Sequence, residues 1–260
     1  MKVRRFLKAL AGASALSLAG TAWAYMLPAG SLMRKLAQRR DDQHIHSLIV
    51  HGSLTLTGPA AQAMAEKLGR YAEGGELSVP AVASYLMPGR CRIDLQLPTA
   101  APGAPAPFAR DANGGLASSP DMADAARLLQ LACPLLAARG DDSARGLVSW
   151  AKGQGVRFNV TSLSRVNSAL AEVIGAGPHD ALAPQLWIDK DAFVPLRVIL
   201  KEDGAWYDVR FDPGVGILES HPQTLELWKM GQGKGGEQLL LRFSAGKLQP
   251  NAKVDAALFK

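Results

Sequence analysis

The side chains able to do chemistry in this 260-residue chain are few and scattered. His44 and His46 stand two apart and would share a face if the strand that follows began before them, while His51 has the opposite parity. Two imidazoles with no carboxylate on their face fall short of the three or four ligands a zinc site needs, so no metal is expected. His179 and His221 sit in Gly/Pro-rich turns. Asp189 and Asp191 are close enough to suggest paired carboxylates, but they flank Lys190 in a pattern that turn chemistry explains first. No G-x-S-x-G elbow or H-E-x-x-H helix is present and no S-x-x-K is followed by its partner motifs, which leaves nucleophilic and zinc-hydrolase catalysis without a foothold. Gly231, Gly233, Gly235 and Gly236 lie between strand-like segments with no helix after them and so read as a hairpin tip, not a dinucleotide loop. The chain is expected to be no enzyme and to need no cofactor.

Cys91 and Cys133 are the only cysteines. They lack CxxC or His spacing, which leaves two alternatives: a single disulfide in an oxidising compartment, or two buried thiols acting as small apolar groups.

The compartment follows from the first residues. Lys2, Arg4, Arg5 and Lys8 precede a weakly apolar stretch, and Ala22-Trp23-Ala24 offers small residues at the two positions a signal peptidase reads. Residues 1–24 are therefore expected to be a cleaved export signal, placing residues 25–260 in the periplasm. After Leu18-Ala19-Gly20 stands Thr21, where a lipoprotein would need Cys, so a soluble product is expected. Four of the basic residues and no acidic ones lie in that segment, so most of the formal charge of +6 leaves with it. That removes the concentrated basic surface a nucleic-acid partner requires.

Hydrophobic periodicity supplies the elements. A basic helix is predicted over 31–42, and strict alternation of Leu48, Val50, Leu54 and Leu56 predicts a half-buried strand over 46–57. Residues 60–71 read as a short helix or a long connection, and 77–86 as a less regular strand. Cys91, Ile93, Leu95 and Leu97 alternate against Arg90, Arg92, Asp94 and Gln96. Residues 98–120 are rich in Pro, Ala, Gly and Ser and are predicted to be a long loop. Two helices are expected next, over 121–136, with Pro134 disturbing its end, and over 142–152. Strands are then predicted over 156–163, 168–175, 185–189, 194–201, 206–211, 224–230 and 238–244, joined by short Asp/Gly/Pro turns that favour antiparallel neighbours.

Within this series, Trp187-Ile188-Asp189-Lys190-Asp191-Ala192-Phe193-Val194-Pro195-Leu196-Arg197 resembles the W-x-D-K-D-x-F-x-P-x-R hairpin of the LolA/LolB-type periplasmic lipoprotein carriers. The C-terminal stretch, Leu239-Leu240-Leu241-Arg242-Phe243 followed by Asn251, Val254, Leu258 and Phe259, is similar to the endings of that family. The resemblance implies an α+β, mainly β fold: a curved antiparallel sheet forming an incomplete β-barrel, covered by about three helices, in a single domain over 25–260. It also implies an apolar cavity that encloses acyl chains of a lipid or lipoprotein, with an envelope membrane protein as a further partner. Leu95, Leu97, Trp187, Phe193, Leu196, Val198, Tyr207, Val209, Phe211, Leu225 and Leu227 are the candidate lining residues, ordinary core being the alternative use of each. The Pro/Ala-rich stretch and the helices after it depart from the family's pattern. The alternative function is an envelope scaffold whose cavity side chains have filled.

Overall fold

A computed structural model describes residues 26–97, 107–112, 115–177, 180, 182–213, 221–231 and 236–260. The predicted signal segment, Thr21 included, lies outside them, as do His179 and most of the glycine-rich tip at 231–236.

The chain opens with α1 (Ala29–Asp42), whose Leu32, Met33 and Leu36 face inward, and continues into β1 (Ser47–Thr57). Helix α2 (Gly58–Lys67) links it to β2 (Glu76–Leu86), followed by β3 (Arg90–Leu95), β4 (Phe108–Ala112) and β5 (Gly115–Ser118). Helices α3 (Ala123–Leu136) and α4 (Gly140–Gly153) come next. The remainder is a meander: β6 (Thr161–Val166), β7 (Ala169–Ile174), β8 (Gln185–Asp189), β9 (Pro195–Glu202), β10 (Ala205–Asp212), β11 (Thr224–Met230) and β12 (Glu237–Pro250).

All twelve strands form one antiparallel sheet in the order β5-β4-β3-β2-β1-β12-β11-β10-β9-β8-β7-β6. The first and last strands meet at its middle, and β5 and β6, near neighbours in sequence, are its two edges. Helices α3 and α4 make the crossover between those edges. Helix α3 touches β3, β4 and β5 as well as β9, β10, β11 and β12. A 14-residue helix is about 21 Å long, whereas β5 and β9 would stand roughly 38 Å apart in a flat sheet. The sheet must therefore curl around α3, and because its edges do not pair it remains an open barrel. This is the predicted architecture, with four helices in place of about three.

Side-chain parity explains which face is concave. Leu48, Val50, Leu54 and Leu56 of β1 point at the helices, as do Leu225 and Leu227 of β11. Gly52 shares that parity for a steric reason. A Cβ there would lie 2.1 Å from the Ser244 carbonyl oxygen, where β12 bulges against β1. The Asp-Lys-Asp turn is built as its sequence suggests: Asp189 Oδ1 accepts from the amides of Asp191 and Ala192 at 2.9 and 2.7 Å, and Phe193 takes a left-handed conformation.

Two predicted elements differ. Residues 98–120 are not all loop: 108–112 and 115–118 form a hairpin that extends the sheet beyond β3. Its apolar inward residue, Ala109, is too small to register as a hydrophobic period. The strand predicted over 156–163 begins only at Thr161, because Val156 instead packs as the buried residue after the end of α4.

Cys91 of β3 and Cys133 of α3 form a disulfide with Cα atoms 5.9 Å apart. It ties the covering helix to the sheet across a span of 42 residues. Replacing both cysteines with Ala should lower unfolding free energy by about 4 kcal/mol, the chain-entropy value for such a loop. The check is the urea midpoint of the double variant against that of the oxidised protein.

Candidate functional site

Helix α3 has a wide apolar face and a narrow polar one that carries Asp124, Arg127 and Gln130. Ala125, Leu128, Leu129, Leu131, Ala132, Leu135 and Leu136 are all buried, in one core cluster with the residues of the concave face of the sheet. Most of the predicted lining residues are part of that packing. Leu95, Val198, Tyr207, Val209, Phe211, Leu225 and Leu227 belong to the main core, and Leu97 and Phe193 lie partly buried against it.

Trp187 and Leu196 do not join them. They form a second cluster with Ala171 and Val173 on the outer face. Trp187 alternates with inward Leu186 and Ile188 and so faces out, whereas a β-bulge turns Leu196 the same way: Trp187 pairs with Arg197 and Ile188 with Pro195, leaving Leu196 as the extra residue. Around them runs an ion-pair ladder. Fully buried Asp208 accepts from Arg197 at 2.8 Å and Arg210 at 2.7 Å, and Arg242 pairs with Glu226 at 2.7 Å. Arg197 and Arg210 also stack on Trp187 and Trp228.

Space for a guest occurs instead where α3 ends. A groove of about 560 Å³ lies between the last turns of α3 (Gln130, Cys133, Pro134, Ala137, Ala138), one face of α4 (Ser143, Gly146, Leu147, Trp150, Gln154) and the sheet margin (Pro88, Gly89, Asp111, Leu116). The α4 residues recur at helical spacing, which makes a continuous wall. Pro134 has no amide hydrogen to give the Gln130 carbonyl, so the helix is least held where the groove begins. Leu116 is 46% exposed on edge strand β5, an apolar side chain left at the groove's lip. Burial pushes the Asp111 carboxyl above its usual range. None of the eleven predicted lining residues borders this groove. The signal that could have found it is the Leu147–Trp150 pair with Gly146 on one face of a helix.

The chemistry-bearing residues are otherwise dispersed. His44 takes a left-handed conformation before β1 begins, so it does not share a strand face with His46, which meets Arg139. Among the described residues no cluster of three His, Cys, Asp or Glu could hold a metal ion. No helix among them is long and apolar enough to cross a membrane.

A polar cluster lies in the interior beside the end of α3. Arg40 of α1, Tyr85 of β2 and His221, just before β11, are all buried. Arg40 Nη1 donates to the Leu135 carbonyl at 3.2 Å. The Tyr85 and His221 rings meet edge to face with centroids 5.2 Å apart. His221 Nδ1 lies 2.8 Å from the Pro222 carbonyl, which can only accept, so Nδ1 carries the proton and Nε2 a lone pair. Neither Nε2 nor the Tyr85 hydroxyl has a partner.

No family model and no curated protein matches the chain. Solved structures similar to it include a LolA superfamily protein from Nitrosomonas europaea, at 12% identity and TM-score 0.46, covering 90% of this chain and 98% of that one. Another is an outer membrane lipoprotein-sorting protein domain from Vibrio parahaemolyticus, at 10% identity and TM-score 0.47, covering 88% and 97%. A third is a DUF1329 family protein from Desulfovibrio piger, at 9% identity and TM-score 0.45, covering 90% and 98%. These are likenesses of fold. No function passes along them.

Burial, reinforced by the Arg40 charge and opposed by the Pro222 hydrogen bond, pushes the His221 imidazole from 6.5 down to about 4. Between those pH values the unfolded chain holds a proton that the folded one excludes. Stability present above pH 6.5 should therefore drain away as pH falls toward 4, by on the order of 3 kcal/mol. Urea unfolding of wild type and His221→Phe at pH 7 and pH 4 measures it, the variant lacking this increment.

Proposed function

We propose that the protein is a non-enzymatic periplasmic carrier that shelters one acyl chain of a lipid or lipoprotein in the groove between α3, α4 and the β4–β5 margin. The observation that carries this reading is the groove itself: about 560 Å³, walled largely by Leu, Ala, Pro and Trp side chains, with polar groups confined to a few positions. That volume falls within the range of small-molecule sites, and its composition suits a hydrocarbon tail. Each buried methylene contributes about 0.8 kcal/mol, so even a partly sheltered chain gains affinity quickly with length. The hairpin over 187–197 resembles that of lipoprotein carriers and points the same way.

The solid packing around α3 favours a different picture of the interior from the one the family resemblance implied. The guest is held at the end of the plug helix, not in a hollow beneath it. The same packing supports the rival reading, an envelope scaffold that binds no lipid. The two part on a single measurement.

Gly146 provides the variant. It faces the groove, and a Cβ added there meets nothing within 4 Å, so a large side chain can occupy the groove without a clash. Gly146→Trp should weaken binding of a fluorescent fatty-acyl probe about tenfold or more, while thermal stability holds or rises because the helix loses a glycine. A wild-type protein that binds no acyl probe would leave the scaffold reading standing.

A further inference from the structure

Among the described residues three carboxyls are buried, and two of them are met by donors. Asp208 accepts from Arg197 and Arg210, and Glu172 accepts from the Leu27 amide at 3.1 Å. Asp111 has neither a hydrogen bond nor an ion pair among the described residues, and burial is the one influence on its carboxyl. A lone carboxyl in that position costs stability that a neutral side chain would recover.

Its place in the sheet aims it at the groove. Asp111 is 9% exposed and forms part of the groove wall. On one side its cross-strand partner is Cys91, whose sulfur is bonded to Cys133 of α3, so the carboxyl shares the sheet face that meets the helix. On the other side it pairs with Leu116, the exposed residue at the groove's lip. The carboxyl thus lies one strand in from the open edge, between the lip and the disulfide.

The surroundings carry the same sign of charge. No other side chain among the described groove residues is ionisable. The groove begins at the C-terminal end of α3, where helix carbonyls gather partial negative charge, and Pro134 leaves the Gln130 carbonyl without its helical donor. The positive end of α4 is offset by Asp141 and Asp142 in its first turn. An anionic head would meet a like charge here, and an ester head would leave the carboxyl unmet. A protonated amine supplies both the opposite charge and N–H donors.

We propose that Asp111 anchors the head of the groove's guest, and that the guest is a single-chain amphiphile whose head is a protonated amine. The inference rests on the acyl-binding reading of that groove. The ammonium donates to the Asp111 carboxylate just inside the lip, and the tail lies against Leu147 and Trp150 of α4. The cargo class thereby narrows from any acylated molecule to one with a cationic head.

The test compares dodecylamine, dodecanol and dodecanoic acid near neutral pH by displacement of an uncharged fluorescent probe from the groove of the whole protein. Wild type should bind the amine about tenfold more tightly than the alcohol, the lower worth of a hydrogen bond to a charged group, and the acid more weakly than either. Asp111→Asn keeps the side-chain volume and removes a charge that has no partner, so it keeps the fold. It should abolish the preference for the amine while leaving dodecanol affinity unchanged. Asp142→Asn removes an exposed charge outside the groove and should leave the preference intact; its loss there would overturn the anchor by assigning the preference to overall charge. Equal binding of amine and alcohol by wild type, tighter binding of the acid, or an unaltered preference in Asp111→Asn would each overturn the anchor and leave the carrier reading intact. Failure of all three amphiphiles to bind would sink the carrier reading and the anchor together. Butylamine, with the stem of a lysine side chain, should compete about a hundredfold or more weakly than dodecylamine because it buries fewer methylenes. Equal potency of the two amines would overturn the amphiphile in favour of a lysine from a partner protein.

Discussion

The structure depends on one packing requirement: the wide apolar face of helix α3 must be walled in by a sheet that starts and ends on opposite sides of it. Asp124, Arg127 and Gln130 form its partly exposed polar strip, and the leucines opposite must be kept from water. A twelve-stranded meander achieves this by bringing its first and last strands together at the middle and bending both arms around the helix. The closure is held at specific points. The Cys91–Cys133 bond fixes the helix to β3, the Gly89 amide donates to the Ala137 carbonyl at its end, and Arg40 reaches the Leu135 carbonyl from α1. Each fastening acts on the C-terminal half of α3, the half whose own hydrogen bonding Pro134 weakens.

This arrangement decides where a guest can lie. Leu128, Leu129 and Leu135 of the plug helix belong to one buried cluster with Val198, Val209 and Leu227 of the sheet. Among the described residues, one groove opens where α3 stops and turns into α4, beside the short edge strand β5. The open edge and the groove are thus two results of one geometry. The exposed Leu116 at that edge is the residue a longer strand would have covered.

How much of this the sequence disclosed varies with the kind of information required. Alternation of Leu48, Val50, Leu54 and Leu56 was enough to place β1, and the helical spacing of Leu128, Leu129, Leu135 and Leu136 was enough to place α3, because periodicity reports burial directly. It does not report which side a buried residue faces. Trp187 and Leu196 looked equivalent to Val198, yet Trp187 has the opposite parity to inward Leu186 and Ile188, and a single inserted residue at the bulge sends Leu196 to the outer face. The hairpin over 108–118 was hidden because its inward positions are Ala and Asp, and a buried small residue leaves no hydrophobic signal. The groove was hidden for a related reason. Its walls come from three separate segments, and each contributes residues that are unremarkable alone. Arg40 read as one charge among several on a basic helix, and His221 as a solvated turn residue, since neither pattern marks a long-range partner.

The outer face shows how this chain treats polar groups when only packing is at stake. Asp208 is wholly buried, and two arginines meet both of its oxygens; Trp187 and Trp228 each find a carboxamide or carboxylate acceptor within 2.8 Å. A buried charge left unpaired there would be costly, and none is left so among these groups. In the interior, the Tyr85 hydroxyl and His221 Nε2 are buried without a hydrogen-bond partner. Folding alone has no use for them. A Phe at either position would pack as well and would spare the acid sensitivity that His221 introduces.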